Sequence, residues 1–350
     1  MTANAKQNAR PAKRRWTFRI AGLAVFLMAL GVGWYYAWTH GARLLDNEVS
    51  ALIRNSNDAG REIECANRRV EGFPFRVGIF CDTVSAYAVR DGISIRTGAL
   101  RSAAQFYAPN SLIAEMDGPL TASTQANGLY TADWASMRAS ARVGFDGVNR
   151  ISFQTRQLVL NTPQPGNGPR LVAKLEGGEL HLRPTPGEKD ANAVDLAFLL
   201  EKLEFSPTEG LPLPAFALSG DIRLDEMREE LKPGFNLLDH LRARGISGEI
   251  RRAQIAPLDG GIVTLSGTFA ISPAGRLSTS LDVESTDTHA IADFLGRVMP
   301  GQADLWQQIE QTIVLLARAD SSGARKLRIE IENGIFLVGG FPVAEIPPLY

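Results

Sequence analysis

The chain is 350 residues long, and its 45% apolar and 21% charged residues are typical of a protein with a sizeable core. Its formal net charge of −1 is unevenly distributed, because the first 19 residues carry six basic side chains and no acidic one. Removing those six from the 37 Lys and Arg leaves 31 against 38 Asp and Glu, and such a mildly acidic body excludes nucleic acid as an expected partner.

The basic tail is followed by a stretch without charged residues from position 20 to 39. Twenty residues of helix cover about 30 Å, the thickness of the hydrocarbon core of a membrane. Aromatic residues, which favour the membrane–water interface, flank the stretch: Trp16 on one side and Trp34, Tyr35, Tyr36 and Trp38 on the other. We predict a single transmembrane anchor. Because the Lys and Arg excess lies only before it, residues 1–19 are expected in the cytoplasm and the main domain in the periplasm.

A cleaved signal peptide is the alternative interpretation of this segment. Its apolar region would span about 7 to 15 residues and end at a site of small residues. Here the apolar run is longer, and aromatic residues occupy the expected cleavage region. We therefore favour an uncleaved single-pass anchor in the bacterial inner membrane. An amphipathic helical linker is predicted over residues 40–62, because apolar residues recur there at intervals of three and four: Leu44, Leu45, Val49, Leu52 and Ile53.

The chain contains two cysteines, Cys65 and Cys81, which flank the segment EGFPF. In an oxidising compartment a lone pair of cysteines favours a disulfide. If a hairpin turn is centred on Phe73, the two cysteines face each other across antiparallel strands, at a separation that a disulfide can bridge. Gly72 and Pro74 suit such a turn. Free or intermolecular thiols and a metal site are the alternatives to this structural disulfide.

Beyond residue 63 apolar and polar residues alternate, which is typical of strands with one apolar and one polar face. We predict a mainly β fold with a few helices: after the transmembrane helix, a curved antiparallel meander sheet, groove-like or half-barrel-like, with helices packed on it. Nine apolar residues are candidates to line an open groove or, alternatively, a core filled by the helices: Val263, Leu265, Phe269, Ile271, Leu281, Val283, Leu327, Ile329 and Ile331.

Helical spacing of apolar residues predicts helices over 224–243 and 289–319, each interrupted by a Pro-Gly pair. Hairpin turns are predicted where Gly follows a polar or small residue, at 259–261, 273–275 and 332–334.

The segment 192–205 is interpreted as a strand. The β-rich domain 63–350 has a candidate division into halves, 63–205 and 215–350, although a continuous sheet could cross the loop between them.

No motif for catalysis is present in the sequence. It contains no nucleophile elbow, phosphate-binding loop, dinucleotide fingerprint or HExxH pair. The four histidines, His40, His181, His240 and His289, lack the spacing of metal ligands. We expect neither an enzyme nor a cofactor or metal. Two arginine pairs, Arg68-Arg69 and Arg251-Arg252, are candidates to contact lipid phosphates, although such pairs more often only make a strand soluble.

Three features together carry a resemblance: the anchor, the GFPF turn between Cys65 and Cys81, and the C-terminal sequence IPPLY at 346–350. The chain resembles alphaproteobacterial membrane-anchored envelope proteins that form a family of unknown function. That resemblance implies a topology but no activity. More distantly, the anchor and the repeated Leu-Ser-Gly strands are similar to AsmA-like proteins, whose long curved sheets are implicated in moving phospholipid.

Two functions agree with these observations. The first is a membrane-anchored module that binds phospholipid or acyl chains along the apolar side of its sheet. The second is a structural or assembly factor that binds other envelope proteins through a sheet edge or through the C-terminal segment.

Overall fold

The computed structural model describes residues 12–58, 60–88, 92–124, 128–144, 147–163, 170–187, 192–206, 214–228, 237–298, 303–316, 324–338 and 341–350. The helices are α1 (Ala12–Asp58), α2 (Leu237–Arg244), α3 (Thr288–Val298) and α4 (Ala303–Leu316). The strands in chain order are β1 (Arg61–Ala66), β2 (Arg69–Glu71), β3 (Arg76–Cys81), β4 (Thr83–Ala88), β5 (Ile93–Thr97), β6 (Leu100–Gln105), β7 (Ala108–Met116), β8 (Leu120–Thr124), β9 (Gly128–Asp133), β10 (Ser136–Gly144), β11 (Gly147–Thr162), β12 (Arg170–Pro184), β13 (Val194–Phe205), β14 (Phe216–Leu224), β15 (Ile246–Pro257), β16 (Val263–Ile271), β17 (Leu277–Ser285), β18 (Arg325–Glu332), β19 (Ile335–Val338) and β20 (Phe341–Glu345).

The strands form one antiparallel meander that stays open. From β10 to β20 each strand pairs with the next one in the chain, and α3 and α4 are inserted between β17 and β18. The described residues confirm the predicted fold class: a mainly β protein with a few helices and a large open sheet behind a long N-terminal helix.

In the first third of the sheet, each long strand is interrupted near its middle. β1 and β2 are two halves of one strand, and β3 and β4 are two halves of the next. The pairs Ala66–Thr83 and Arg69–Phe80 continue the same register on either side of the interruption. β5/β6, β7/β8 and β9/β10 are likewise halves of single strands, and β11 pairs with both β9 and β10. Where β7/β8 pairs with its two neighbours, the register shifts by one residue across the interruption. The sheet therefore continues without a break from its first strand to β20.

Because successive strands run in opposite directions, the hairpin turns lie alternately at the two ends of the sheet. The turns after β2, β6, β10, β12, β14, β16 and β18 lie at one end, which we call the proximal end because α1 contacts it. The opposite, distal end carries α3 and α4. Phe294 of α3 packs its ring against Phe216 of β14 there, with ring centroids 5.5 Å apart.

Helix α1 contains both the predicted anchor and most of the predicted linker in one continuous helix. It is long and apolar enough to cross a membrane, and its apolar window is not buried against the rest of the protein. Its C-terminal half runs back along the first strand. Arg68 pairs with Asp46 at 3.0 Å, and the backbone N–H of Ile63 donates to Asn57 Oδ1 at 2.8 Å.

The prediction of helix over 224–243 is wrong in its first part. Leu224 ends β14 and pairs with Val194 on one side and Gly248 on the other. The alternation of apolar and polar residues that builds β14 extends to this position, and two flanking strands stabilise it more than a helical turn would. Only α2, near the end of the predicted range, is helical; residues 229–236 lie outside the described part of the chain.

The predictions for 289–319, for 192–205 and for the three hairpin turns are confirmed, whereas the predicted helical linker ends before 62, because Arg61 and Glu62 belong to β1. α3 and α4 occupy the range 289–319, with the Pro-Gly pair between them outside the described residues, and Asp287 Oδ1 accepts the N–H of Ala290 at the start of α3. β13 confirms the strand at 192–205, and the three predicted hairpin turns connect β15 to β16, β16 to β17 and β18 to β19. The pairing of β13 with β14 carries the sheet across the loop between the proposed halves.

The C-terminal residues are held against the proximal end of the sheet. The N–H of Leu349 donates to Gly275 O at 2.9 Å, and the hydroxyl of Tyr350 lies 2.9 Å from Leu241 O and 2.8 Å from Ser272 O. This fixes the IPPLY segment on its own sheet, so it is not presented as an unattached tail.

Candidate functional site

Cys65 and Cys81 form a disulfide, with their Cα atoms 5.3 Å apart. The predicted register between them is wrong, since Cys65 pairs with Val84 in the ladder. The strands are interrupted between the two cysteines, where Asn67 has a positive φ of 49° and Asp82 stands between β3 and β4. The disulfide therefore links the strands diagonally across the interruption.

The GFPF segment forms the turn between β2 and β3, and the centre of this turn lies between Pro74 and Phe75 and not on Phe73 as predicted. Gly72 has a φ of +121°, which is open to glycine and strained for other residues. Its carbonyl oxygen accepts the N–H of Arg76 at 2.9 Å. Phe73 and Pro74 complete the turn, and both contact α1. The ring centroid of Phe73 lies 5.5 Å from that of Trp38, and Pro74 O accepts the indole N–H of Trp34.

The nine predicted groove residues share one side of the sheet. Their ladder partners show this, because Leu265 pairs with Val283, Val283 with Leu327, and Leu281 with Ile329. Residues directly opposite each other in a ladder point to the same face. Ile331 is buried, and the other eight, Val263, Leu265, Phe269, Ile271, Leu281, Val283, Leu327 and Ile329, are half-buried.

The same apolar side extends far beyond these strands. Following ladder partners from strand to strand gives two parallel rows that cross the sheet side by side. The first apolar row is Val77, Ala104, Leu112, Ala141, Ile151, Leu182, Leu196, Ile222, Ile250, Gly267, Leu281 and Ile329. The second apolar row is Ser102, Ala114, Ala139, Phe153, Leu180, Phe198, Gly220, Ala253, Leu265, Val283 and Leu327. Neither row contains a charged residue.

The apolar rows are not buried beneath a second layer of described structure. Within them only Val77 and Gly220 are buried, and every other member is half-buried or exposed. Leu112 is 43% exposed and Leu180 is 37% exposed, although both point to the apolar side. A closed core would bury most of such side chains almost completely. Sheets of more than about ten strands curl, so neighbouring apolar side chains shield one another in part.

Several polar atoms on this side are small hydroxyls that bond to the backbone, whereas the buried Thr155 Oγ1 and Ser285 Oγ have no hydrogen-bond partner within the described residues. Thr279 Oγ1 donates to Thr268 O at 2.7 Å, and Thr97 Oγ1 donates to Asp117 O at 3.0 Å. Ser102 Oγ donates to Ile79 O at 3.1 Å and accepts the N–H of Ile79 at 2.8 Å. The hydroxyls of Thr279, Thr97 and Ser102 are therefore occupied within the sheet.

The opposite side of the sheet is charged and carries several ion pairs. Arg101 binds both carboxylate oxygens of Asp117 at 2.6 and 2.7 Å, and Arg328 binds both of Asp282 at 2.8 and 2.9 Å. Hydrogen bonds from these arginines lower the pKa of Asp117 and of Asp282. This side has the composition of a solvated surface.

Asp195 is the one buried carboxylate among the residues that the structure describes. Arg251 approaches it at 2.8 Å, Thr185 at 3.0 Å and Arg183 at 3.3 Å. Burial raises the pKa of Asp195, but hydrogen bonds from Arg251 and Thr185 and the charge of Arg251 lower it by more. The carboxylate thus stays ionised and ties β12, β13 and β15 together.

Three of the four arginines singled out in the sequence have acidic partners within the protein. Arg68 binds Asp46 of α1, and Arg69 binds Asp82 at 3.0 Å. Arg251 binds Asp195 and Asp221, the latter at 3.2 Å. These contacts assign the three arginines to the cohesion of the fold.

Within the described ranges no cluster of three or more metal-ligating side chains occurs. His181 contacts Ser152 at 2.9 Å, and His289 lies 3.6 Å from Asp293, one turn along α3. Both are local contacts on a polar surface.

The aromatic contacts of the proximal end were missed by sequence reasoning. Trp34 Nε1 donates to Pro74 O at 2.8 Å, and its ring meets that of Phe106 with centroids 5.3 Å apart. The run of aromatic residues at the end of the anchor was visible in the sequence. Its partners, 40 and 72 residues further on, were not, since only the folded hairpins bring them there.

Fold and surface together define a class of protein: an open antiparallel meander, apolar along one side, that follows a helix able by length and composition to cross a membrane. Residues 38–347 match the family of uncharacterized proteins conserved in bacteria, DUF2125, and the chain belongs to that family. No curated protein and no solved structure matches the chain.

Proposed function

We propose that this protein is a non-enzymatic lipid-binding protein of the bacterial inner membrane. Residues 1–19 lie in the cytoplasm, α1 crosses the membrane, and the sheet in the periplasm holds the acyl chains of a phospholipid on its apolar rows. The two uninterrupted apolar rows are the observation that carries the proposal. They demand an apolar partner, because a sheet face left to water gains nothing from its apolar side chains.

The dimensions of the apolar side suit an acyl chain. Twelve adjacent strands at about 4.8 Å make the first apolar row roughly 50 Å long. The nine residues of β16 span about 30 Å in the other direction. One leaflet contributes about half of the ~30 Å hydrocarbon core, so a lipid tail fits the surface in either direction. Charges are absent from the rows, and therefore a headgroup would lie at their margin.

The alternative function, an assembly factor that binds other envelope proteins, has less support. The IPPLY segment is bound to its own sheet, and α1 lies along the first strand. At the other edge, β20 contains Pro342, which cannot donate a ladder hydrogen bond. The resemblance to AsmA-like proteins in strand pattern agrees with lipid binding.

Photo-crosslinking in living cells tests the proposal. Benzoylphenylalanine would replace Leu196, which lies in the first apolar row, and in a second strain Leu199, a half-buried leucine of the same strand that points to the charged side. We expect phospholipid adducts, identified by mass spectrometry, at position 196 and few at 199. Protein adducts at 196 without lipid would support the assembly function, and equal lipid labelling at both positions would refute a specific lipid surface.

A further inference from the structure

At the proximal end, aromatic side chains of two hairpin turns gather around the outer end of the uncharged stretch of α1. We call this group the aromatic foot. It consists of Trp34, Tyr35 and Trp38 from α1, Phe73 and Phe75 from the turn after β2, and Phe106 and Tyr107 from the turn after β6. The group brings together residues that lie up to 73 positions apart in the sequence.

Hydrogen bonds hold the two turns at a fixed height on the helix. The indole N–H of Trp34 donates to Pro74 O at 2.8 Å, and that of Trp38 donates to Arg76 O at 2.7 Å. The second turn is tied to the first, since the N–H of Phe106 donates to Phe75 O at 2.9 Å. The turns cannot rise or sink along α1 without breaking these bonds.

That height coincides with the C-terminal end of the uncharged stretch of α1. An α-helix rises about 1.5 Å per residue, so Trp34 and Trp38 lie within about 8 Å, measured along the helix axis, of the C-terminal end of the uncharged stretch 20–39. Trp and Tyr prefer this level, where a ring can be apolar on one side and hydrogen-bonded on the other. The turns bonded to them are therefore placed at the same level, beside the point where α1 leaves the bilayer.

The outward side of the foot is aromatic and uncovered in the described part of the chain. Phe73 is 49% exposed, Phe75 63% and Tyr107 64%. A cluster of exposed aromatic rings marks a contact surface, whereas single exposed rings do not. Further along the same end, the next hairpin places Arg142 opposite Arg150, both exposed, and no ion pair joins either to a carboxylate within the described residues.

We propose that the aromatic foot is a second membrane-contact surface, which inserts Phe73, Phe75 and Tyr107 into the interface of the leaflet that α1 exits. The first apolar row begins at the foot with Val77, directly after Arg76, and Ala104, two residues before Phe106. Lipid tails of that leaflet thus meet the apolar side of the sheet without crossing water. The membrane contact deepens the lipid-binding role, but it does not depend on it.

Spin labelling of the full chain in nanodiscs tests the contact. Both native cysteines are in the disulfide and no other cysteine exists, so Phe75→Cys or Tyr107→Cys supplies a single reactive thiol. Leu258→Cys is the matched control, because Leu258 is 58% exposed and lies in a turn at the distal end. Accessibility of each nitroxide is measured with oxygen, which concentrates in the bilayer, and with a water-soluble nickel chelate.

We expect labels at positions 75 and 107 to be relaxed several-fold more by oxygen than by the chelate, and the label at 258 to show the reverse. Labels at 75 and 107 that are as accessible to the chelate as the control would overturn the proposal. Lipid adducts at position 196 are read separately. If the labels at 75 and 107 lie in the membrane but no lipid adducts form at 196, the lipid-binding role is refuted and the membrane contact stands. If adducts form at 196 but the labels lie in water, the membrane contact is refuted and the lipid-binding role stands.

Discussion

Replacing Leu281 by Asp places one carboxylate in the middle of the apolar side. Leu281 lies in the first apolar row between Gly267 and Ile329 and is half-buried. In a closed core this change would bury an unpaired charge, at a cost of several kcal/mol. On an open face the new carboxylate reaches water whenever no lipid covers it. A closed core and an open face therefore predict losses of stability that differ enough to be distinguished by experiment.

The magnitude follows from the burial of the side chain. Complete burial of a leucine contributes about 1.5–3 kcal/mol, so the half-buried Leu281 contributes about 1–1.5 kcal/mol, and its replacement by Asp should lower the free energy of unfolding by that amount. For a domain of this size about 1 kcal/mol corresponds to roughly 2–4 °C in Tm. Lipid binding should suffer more, because a tail lying across the carboxylate removes it from water. Each 1.4 kcal/mol of that penalty weakens binding about tenfold.

The assay compares thermal unfolding with the yield of lipid adducts from benzoylphenylalanine at position 196. Ala270→Asp is the control, since Ala270 is exposed on the charged side and its ladder partners are Ser247 and Ser278. We expect both variants to fold, with adducts lost only from Leu281→Asp. A fall in Tm of more than about 15 °C in Leu281→Asp and in the equivalent Ile329→Asp would show a closed core and refute the reasoning.

Three further outcomes are expected. A reporter that fluoresces only in the cytoplasm should work when fused to the N-terminus and fail at the C-terminus; bright C-terminal fusions would contradict the topology. Replacing Cys65 and Cys81 together by Ser should cost about 3 kcal/mol, as closure of a loop of about 15 residues predicts, and lower Tm while the fold is retained; an unchanged Tm would contradict it. Asp195 has a lowered pKa, so its stabilising effect is complete above its unfolded pKa of about 3.9 and is lost as the pH falls through the lower folded value. Asp195→Asn should cost about 2 kcal/mol at neutral pH because it removes the negative charge that binds Arg251 and Arg183, and it should flatten acid unfolding below pH 4; an unchanged acid transition would show that another group controls it.

Local pattern was sufficient to predict many elements of the fold. Strict alternation in segments such as 277–285 predicts strands, because side chains of a strand alternate between an apolar side and water. The register between strands was harder to predict from the sequence. The register around Cys65 was predicted wrongly because the hairpin turn is not centred on Phe73. Val70 pairs with Ile79, so the centre lies between Pro74 and Phe75, and the same register continues past Asn67, whose φ is positive.

The length of the apolar rows could not be read from the sequence, because several strands are irregular. Gln157 and Lys202 also have positive φ, 52° and 49°, at irregularities within β11 and β13. Each irregularity shifts which residues point to the apolar side, so a row through twelve strands emerges only after every shift has been resolved. The aromatic foot depends on contacts between α1 and turns far along the chain, which periodicity does not report.

The sequential pairing of the meander has a consequence for biogenesis. Each strand after β10 needs only the strand made before it, so contacts are local in the sequence, which favours rapid folding. A chain that is synthesised N-terminal part first can add one hairpin at a time to a template already in place. The first template is α1 itself, whose indole groups hold the first hairpin turn. Growth of the sheet is thereby directional, and its edge is always the segment synthesised last.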